Sequence, residues 1–181
     1  MNKTDKNMEL KTKIRRIPEF KGVVFWDITP ILKDKQCFRE CIKQLAAYYR
    51  GKPIDVIVSN EARGFIIGAP LAYELGVGFV PIRKKGKLPH KCVDLTYQKE
   101  YEGDTIEIHQ DAIEKGQNVL LIDDLLATGG TAKANIELVE KLGGKVAGLG
   151  FLIELDYLNG RKTIDTKHDI YSLIQLKTTN G

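Results

Sequence analysis

Cysteine is scarce in this chain, and the few present form no pattern. Cys37, Cys41 and Cys92 are odd in number, and no two are spaced as CxxC. That argues against a disulfide framework and for a reducing, cytoplasmic setting. Cys37 and Cys41 lie four apart on a predicted helix and share a face. With no third or fourth ligand nearby, they read as packed thiols rather than a metal pair. An excess of one charge is also missing. Lys and Arg total 28 against 24 Asp and Glu, a formal +4. This is too slight and too evenly mixed to point to nucleic acid or an anionic membrane. The N-terminal MNKTDKNMELKTK has no apolar stretch of the signal-peptide kind. The most membrane-like window, FIIGAPLAYELGVGFVPI, is interrupted by Pro70, Glu74 and Pro81, and reads as a helix, a turn and a strand. No internal repeat or low-complexity tract occurs. His90, His109 and His168 show no partner pattern that would support a histidine-based catalyst.

What is there is a chain of 181 residues, 43% hydrophobic, long enough for one domain with a real core. Residues 36–50 carry apolar side chains at helical spacing, and PIDVIVS (53–59) is a β-branched run. GFIIGAPLAYEL predicts a helix ended by Gly76. Strands are predicted at 78–83, 119–122, 145–155 and 169–176, with a helix over Thr131–Leu142 that Gly143-Gly144 stops. Strands alternating with helices imply an α/β domain with a mainly parallel sheet, which binds ligands beyond the carboxyl ends of its strands. RKKGKLPHKCVDLTYQKEYEGD departs from this rhythm. It is rich in lysine and has no apolar stripe. A long loop is expected, mobile over 84–98, returning through short strands near 92–97 and 104–109. Such a loop inside a compact domain often serves as a lid.

The most informative stretch is VLLIDDLLATGGTAKA (119–134). It is neither a Walker loop, since no GK[ST] follows the glycines, nor GxGxxG. Ala127, Thr128, Gly129, Gly130 and Thr131 offer successive backbone N–H groups, two hydroxyls and a helix N-terminus, which suits one phosphate monoester. Asp123 and Asp124 cannot serve that phosphate; carboxylates accept hydrogen bonds and want hydroxyls or a metal ion. A phosphate with vicinal hydroxyls a few ångströms away describes a ribose 5-phosphate. The plainer alternative is a tight turn with two helix-capping acids. Beyond the preceding strand, Arg63 in EARG offers a fork-shaped cation suited to a diphosphate, or else a surface partner for Glu61. RKKGK (83–87) is either a solvated charge run or a set of cations closing over a charged leaving group. Glu100 in YQKEY could be a hairpin glutamate paired with Lys99 or a neighbouring lysine.

DDLLATGGT resembles the phosphoribosyl-pyrophosphate (PRPP) signature of the type I phosphoribosyltransferases, and its LLATGGT form is similar to the adenine-using branch. GVVFWDITPILKD, EARGFIIGAPLAYELG, PIRKKGKLP, YQKEYEGDTIEIHQDAI and FLIELDYLNGR extend the likeness from about Ile14 to Leu176. The resemblance implies a type I fold, with an N-terminal arm and base-covering hood over 1–35 and a PRPP-binding α/β core over 36–181. It implies transfer of the 5-phosphoribosyl group from PRPP to adenine, giving AMP and pyrophosphate in purine salvage. Mg²⁺ would be held mainly through PRPP, without a dedicated protein metal site, and the expected assembly is a homodimer. By the same resemblance, the turn at Glu61, Ala62 and Arg63 holds pyrophosphate through a cis Glu61–Ala62 bond. Arg83 and Lys87 stabilise the leaving group, with Arg83 reaching across the dimer interface. Glu100 stands beside the purine. The backbone of Val24 and Trp26 reads the adenine edge, Phe25 stacks on it, and Leu155 covers the other face. Trp26 stands where many relatives carry arginine. A contact made by backbone tolerates that change; one made by the side chain does not. Two other functions share these motifs: a purine phosphoribosyltransferase for xanthine or hypoxanthine, and a PRPP-sensing regulator. An intact Glu100 and a complete ATGGT loop argue against the regulator.

Overall fold

The computed structural model describes residues 9–98, 103–164 and 167–180. Two strands, β1 (Arg15–Phe20) and β2 (Val23–Asp27), form a hairpin of their own. Lys21 and Gly22 make its turn, with φ of 53° and 82°. Two left-handed residues in a two-residue loop match the natural twist of a hairpin. This hairpin was not expected from the sequence. The β1 strand is exposed along almost its whole length, so no buried alternation marks it, and Lys-Gly is a weaker turn signal than Asn-Gly.

A short helix, α1 (Thr29–Lys33), leads to α2 (Lys35–Tyr49), whose N-terminus is capped by the Asp34 carboxylate accepting from the Gln36 and Cys37 amides. Then follow β3 (Val56–Asn60), α3 (Arg63–Leu75), β4 (Gly78–Lys84), β5 (Cys92–Gln98) and β6 (Gly103–His109). The chain closes with β7 (Asn118–Leu126), α4 (Gly130–Lys141), β8 (Lys145–Leu155), two 3-10 turns (Asp156–Leu158 and Gly160–Thr163) and β9 (Ile170–Leu176). β3 starts later than the apolar run suggests. Pro53 has no amide to donate, and the Asp55 carboxylate takes the Asn118 backbone and side-chain N–H groups at 2.7 and 3.0 Å.

Seven strands form one sheet in the order β5-β6-β4-β3-β7-β8-β9. β4, β3, β7, β8 and β9 run parallel, and β5 and β6 extend one edge antiparallel. Alternate residues of β7 face opposite layers. Leu120 and Ile122 pack with α2 and α3, while Val119 and Leu121 pack with α4. Cys37 and Cys41 lie in the first of these cores, where burial pushes the Cys41 thiol up to about 12. Both are packed thiols.

The carboxyl ends of the parallel strands converge where β7 stands between β3 and β8. Contrary to expectation, β7 does not stop at Ile122. Pairing with β8 continues through Asp123↔Phe151, Leu125↔Ile153 and Leu126↔Glu154. The two acids therefore sit on strand backbone rather than on a loop.

Candidate active site

The glycines after β7 are held from behind by the turn at 160–163. Gly129 has φ of 86°, and a Cβ there would strike the Gly160 carbonyl and come within 2.9 Å of the Thr163 Cβ. Gly160 in turn lies against the Ala127 carbonyl, and the Thr163 hydroxyl donates to the Thr128 carbonyl at 2.7 Å. Only glycine adopts this backbone and leaves this little room. The outcome is a rigid bend over Ala127–Thr131 that ends at the N-terminus of α4. In front of it lies a cavity of about 200 Å³, whose walls include Arg63, the two acids, Asn135 and Phe151.

A second cavity, about 160 Å³, adjoins the first and shares Arg63, Asp123, Asp124 and Thr131 with it. Its other walls include Glu61, Ala62, Arg83 and Lys84. The Glu61–Ala62 peptide bond is cis. Arg63, at the first turn of α3, binds Asp124 at 2.9 Å, not Glu61. Glu61 instead accepts from Arg83 and Lys87, each at 2.7 Å. The lysine-rich run is thus split in use. Lys85 pairs with Asp94 at 2.7 Å, while Arg83 and Lys87, both partly exposed, turn to Glu61.

Protonation follows from these surroundings. Burial would raise the Glu61 carboxyl, but Lys87 and Arg83 outweigh it and leave it below the ordinary range. Asp123 lies well above that range, first because it is buried and second because Asp124 repels its charge. Burial also pushes Asp124, 5% exposed, upward against the pull of Arg63. Two adjacent acids in one pocket therefore disfavour carrying two charges.

The hairpin meets the cleft at Arg63. Phe25 lies with its ring 4.9 Å from the Arg63 guanidinium carbon. Val24 packs on the core. Trp26 is 4% exposed, and its indole N–H donates to the Tyr157 hydroxyl at 3.2 Å. Leu155, also 4% exposed, ends β8 in that same core. The Trp26 side chain thus belongs to the interior. Glu100 lies outside the described residues.

Three further residues bear on the cleft without a sequence signal strong enough to single them out. Glu107 accepts from the Lys87 and Leu88 amides at 2.9 Å each and so pins the basic turn; an acid between Ile106 and Ile108 was its only mark. Asn60, at the end of β3, lies beside Asp123 and draws its carboxyl downward. The Tyr97 hydroxyl meets the Thr131 hydroxyl at 3.1 Å, tying β5 to the glycine bend.

The family described as Phosphoribosyl transferase domain matches residues 27–180. The adenine phosphoribosyltransferase of Thermotoga neapolitana is 55% identical over 169 residues, covering 92% of this chain and 99% of the relative. The crystal structure of the adenine phosphoribosyltransferase from Thermoanaerobacter pseudethanolicus superposes with a TM-score of 0.91 at 52% identity, covering 94% of this chain and 99% of that one. The Saccharomyces cerevisiae enzyme, complexed with an imino-altritol bisphosphate and adenine, gives 0.87 at 41% identity, covering 94% and 99%.

Proposed function

We infer that this chain, which belongs to the phosphoribosyltransferase family by sequence and by fold, transfers the 5-phosphoribosyl group of PRPP to adenine, giving AMP and pyrophosphate. The observation that carries this reaction is the pair of joined cavities: a glycine bend on one side, a cationic turn on the other, and two acids between them. A 5-phosphate, a ribose and a diphosphate follow one another along PRPP in that order.

In this assignment the backbone of Ala127–Thr131 and the hydroxyls of Thr128 and Thr131 take the 5-phosphate. Asp123 and Asp124 accept from the ribose hydroxyls. The amides at Glu61–Ala62, with Arg63, Arg83 and Lys87, take the diphosphate. Adenine N9 forms its bond to C1 of the ribose as the C1–O bond to diphosphate breaks. The electron pair leaves with pyrophosphate, and the charge developing there meets Arg83 and Lys87. Glu100 is assigned to the imidazole side of the purine, where it steadies or accepts the proton lost from the ring. The Val24 carbonyl and Trp26 amide match adenine's amino group and N1. Hypoxanthine would reverse both contacts, a discrimination of at least about tenfold.

Mg²⁺ belongs to this scheme as a counter-ion of the diphosphate. Among the described residues no group of three His, Cys, Asp or Glu side chains could hold a metal. The ion would be held mainly through oxygens of PRPP, with the two acids left to the ribose hydroxyls.

The hood is assigned to residues 1–35 over a core of 36–181. A homodimer is supported by α3, which exposes Ile66, Ala69 and Tyr73 along one face, Tyr73 at 89%. A second copy would cover this uncharged stripe. A cytoplasmic setting accords with three free cysteines, and no described helix is long and apolar enough to cross a membrane.

The test is product formation from PRPP and Mg²⁺ with adenine, hypoxanthine, guanine and xanthine in turn. AMP from adenine, with the other bases at least about tenfold slower, is the expected result. Equal use of hypoxanthine or xanthine would overturn the backbone reading at Val24 and Trp26.

A further inference from the structure

The hairpin meets the body through Val24 on the core, Phe25 on Arg63 and Arg16 donating to the Thr179 carbonyl, and most deeply through Trp26. β1 is almost wholly exposed, and on β2 Trp26 is the buried residue. Its indole donates to Tyr157, which lies in the 3-10 turn directly after Leu155. The bond therefore links residues one and two positions from those assigned to the faces of the base. Trp26 follows Phe25, and Tyr157 lies two beyond Leu155. A buried indole N–H that lost its acceptor would forfeit more than the bond itself contributes, so the pair favours one orientation of the hairpin.

We propose that the Trp26–Tyr157 hydrogen bond is a latch that sets the width of the adenine slot, making both side chains positioning residues for the base. This rests on the reaction assigned above. Neither side chain touches the base; they act through Phe25 and Leu155. A flat ring makes good contact on both faces only when each wall stands about 3.5–4.0 Å away. A small shift of the hairpin therefore loosens adenine first, reaches the cationic turn only through the Phe25 ring on Arg63, and leaves the glycine bend untouched.

Tyr157→Phe keeps the ring and deletes the acceptor. The adenine KM is expected to rise about two- to tenfold, with a clearly smaller change in the PRPP KM and the kcat at saturating substrates unchanged. Trp26 is the only tryptophan in the chain, so its emission reports the latch directly and its maximum should shift in Tyr157→Phe. A wild-type adenine KM in the variant, or a PRPP KM rising as much as the adenine KM, would overturn the latch. Unchanged Trp26 emission would overturn the hydrogen bond itself, whatever the kinetics. The assigned reaction fails on a different result: no AMP made by the wild-type protein. The emission measurement still judges the bond in that case.

Discussion

The two halves of the cleft, to which the 5-phosphate and the diphosphate are assigned, are built on different principles. The bend at Ala127–Thr131 is backbone packed on backbone, with Gly129 and Gly160 leaving no space between them. A phosphate arriving there displaces no protein group. The opposite half is made of side-chain ions that already have partners: Arg63 on Asp124, and Arg83 and Lys87 on Glu61. A diphosphate arriving there must take those cations from carboxylates. The first half suits affinity. The second suits discrimination and timing, because only a ligand with enough charge completes the exchange.

The largest effect should follow from breaking the backbone half. Gly129→Ala places a Cβ against the Gly160 carbonyl in a left-handed conformation. AMP affinity is expected to fall about a hundredfold, the scale of the strain such a position imposes. An AMP titration of the folded variant checks this; affinity within about threefold of wild type would show that the bend is softer than its packing.

Next is the bridge between the halves. Replacing both Asp123 and Asp124 with Asn should weaken AMP and PRPP about ten- to fiftyfold, since bonds to charged acceptors are the strong ones. Free adenine should be nearly unaffected. Parallel calorimetric titrations decide it, and an unchanged AMP affinity would remove the acids from the ribose site.

A smaller effect, of opposite sign, is expected in the ionic half. Glu61→Gln frees Arg83 and Lys87 from their internal partner, so pyrophosphate should bind about threefold tighter. The gain is modest because both cations are substantially exposed. Weaker binding of pyrophosphate would instead mean that Glu61 holds the cations in place for the ligand.

The smallest effect concerns stability. Asp123 has a raised carboxyl pKa in the folded chain, so the folded state holds its proton longer than the unfolded state does. The stability this group provides is complete below the ordinary carboxylate value, about 3.9, and declines as pH rises through the folded value. Asp123→Asn removes that decline. The variant should melt about 2–5 °C higher than wild type near neutral pH and no higher at pH 3.5. Thermal melts at both pH values test the sign; an Asp123→Asn chain less stable at neutral pH would show that the charged form is the better tolerated one.

Legibility in the sequence divides along the same line. The backbone half could be read because glycine and threonine spacing is itself the mechanism, and a strand-to-helix passage places it. The order of elements was readable too, since buried strands and amphipathic helices announce their period. The ionic half could be named but not paired. Nothing local says that Arg63 would choose Asp124, sixty residues on, over Glu61 beside it; the parallel β3–β7 register decides that. The Trp26 side chain was visible only as an exchange of residue type. Its partner, Tyr157, lies 131 residues away, and no spacing rule connects them. β1 and β2 went unread because a hairpin that buries one side chain leaves little periodic trace.

The contact between Gly129 and Gly160 also has a meaning in time. A chain emerging from the ribosome completes DDLLATGGT long before it reaches the turn that supports it. Until Gly160 and Thr163 arrive, the bend has nothing behind it and the Thr128 carbonyl has no donor. Capture of a sugar phosphate is thus tied to the last stretch of synthesis. A chain cut before Gly160 would carry every residue of the cradle and no cradle.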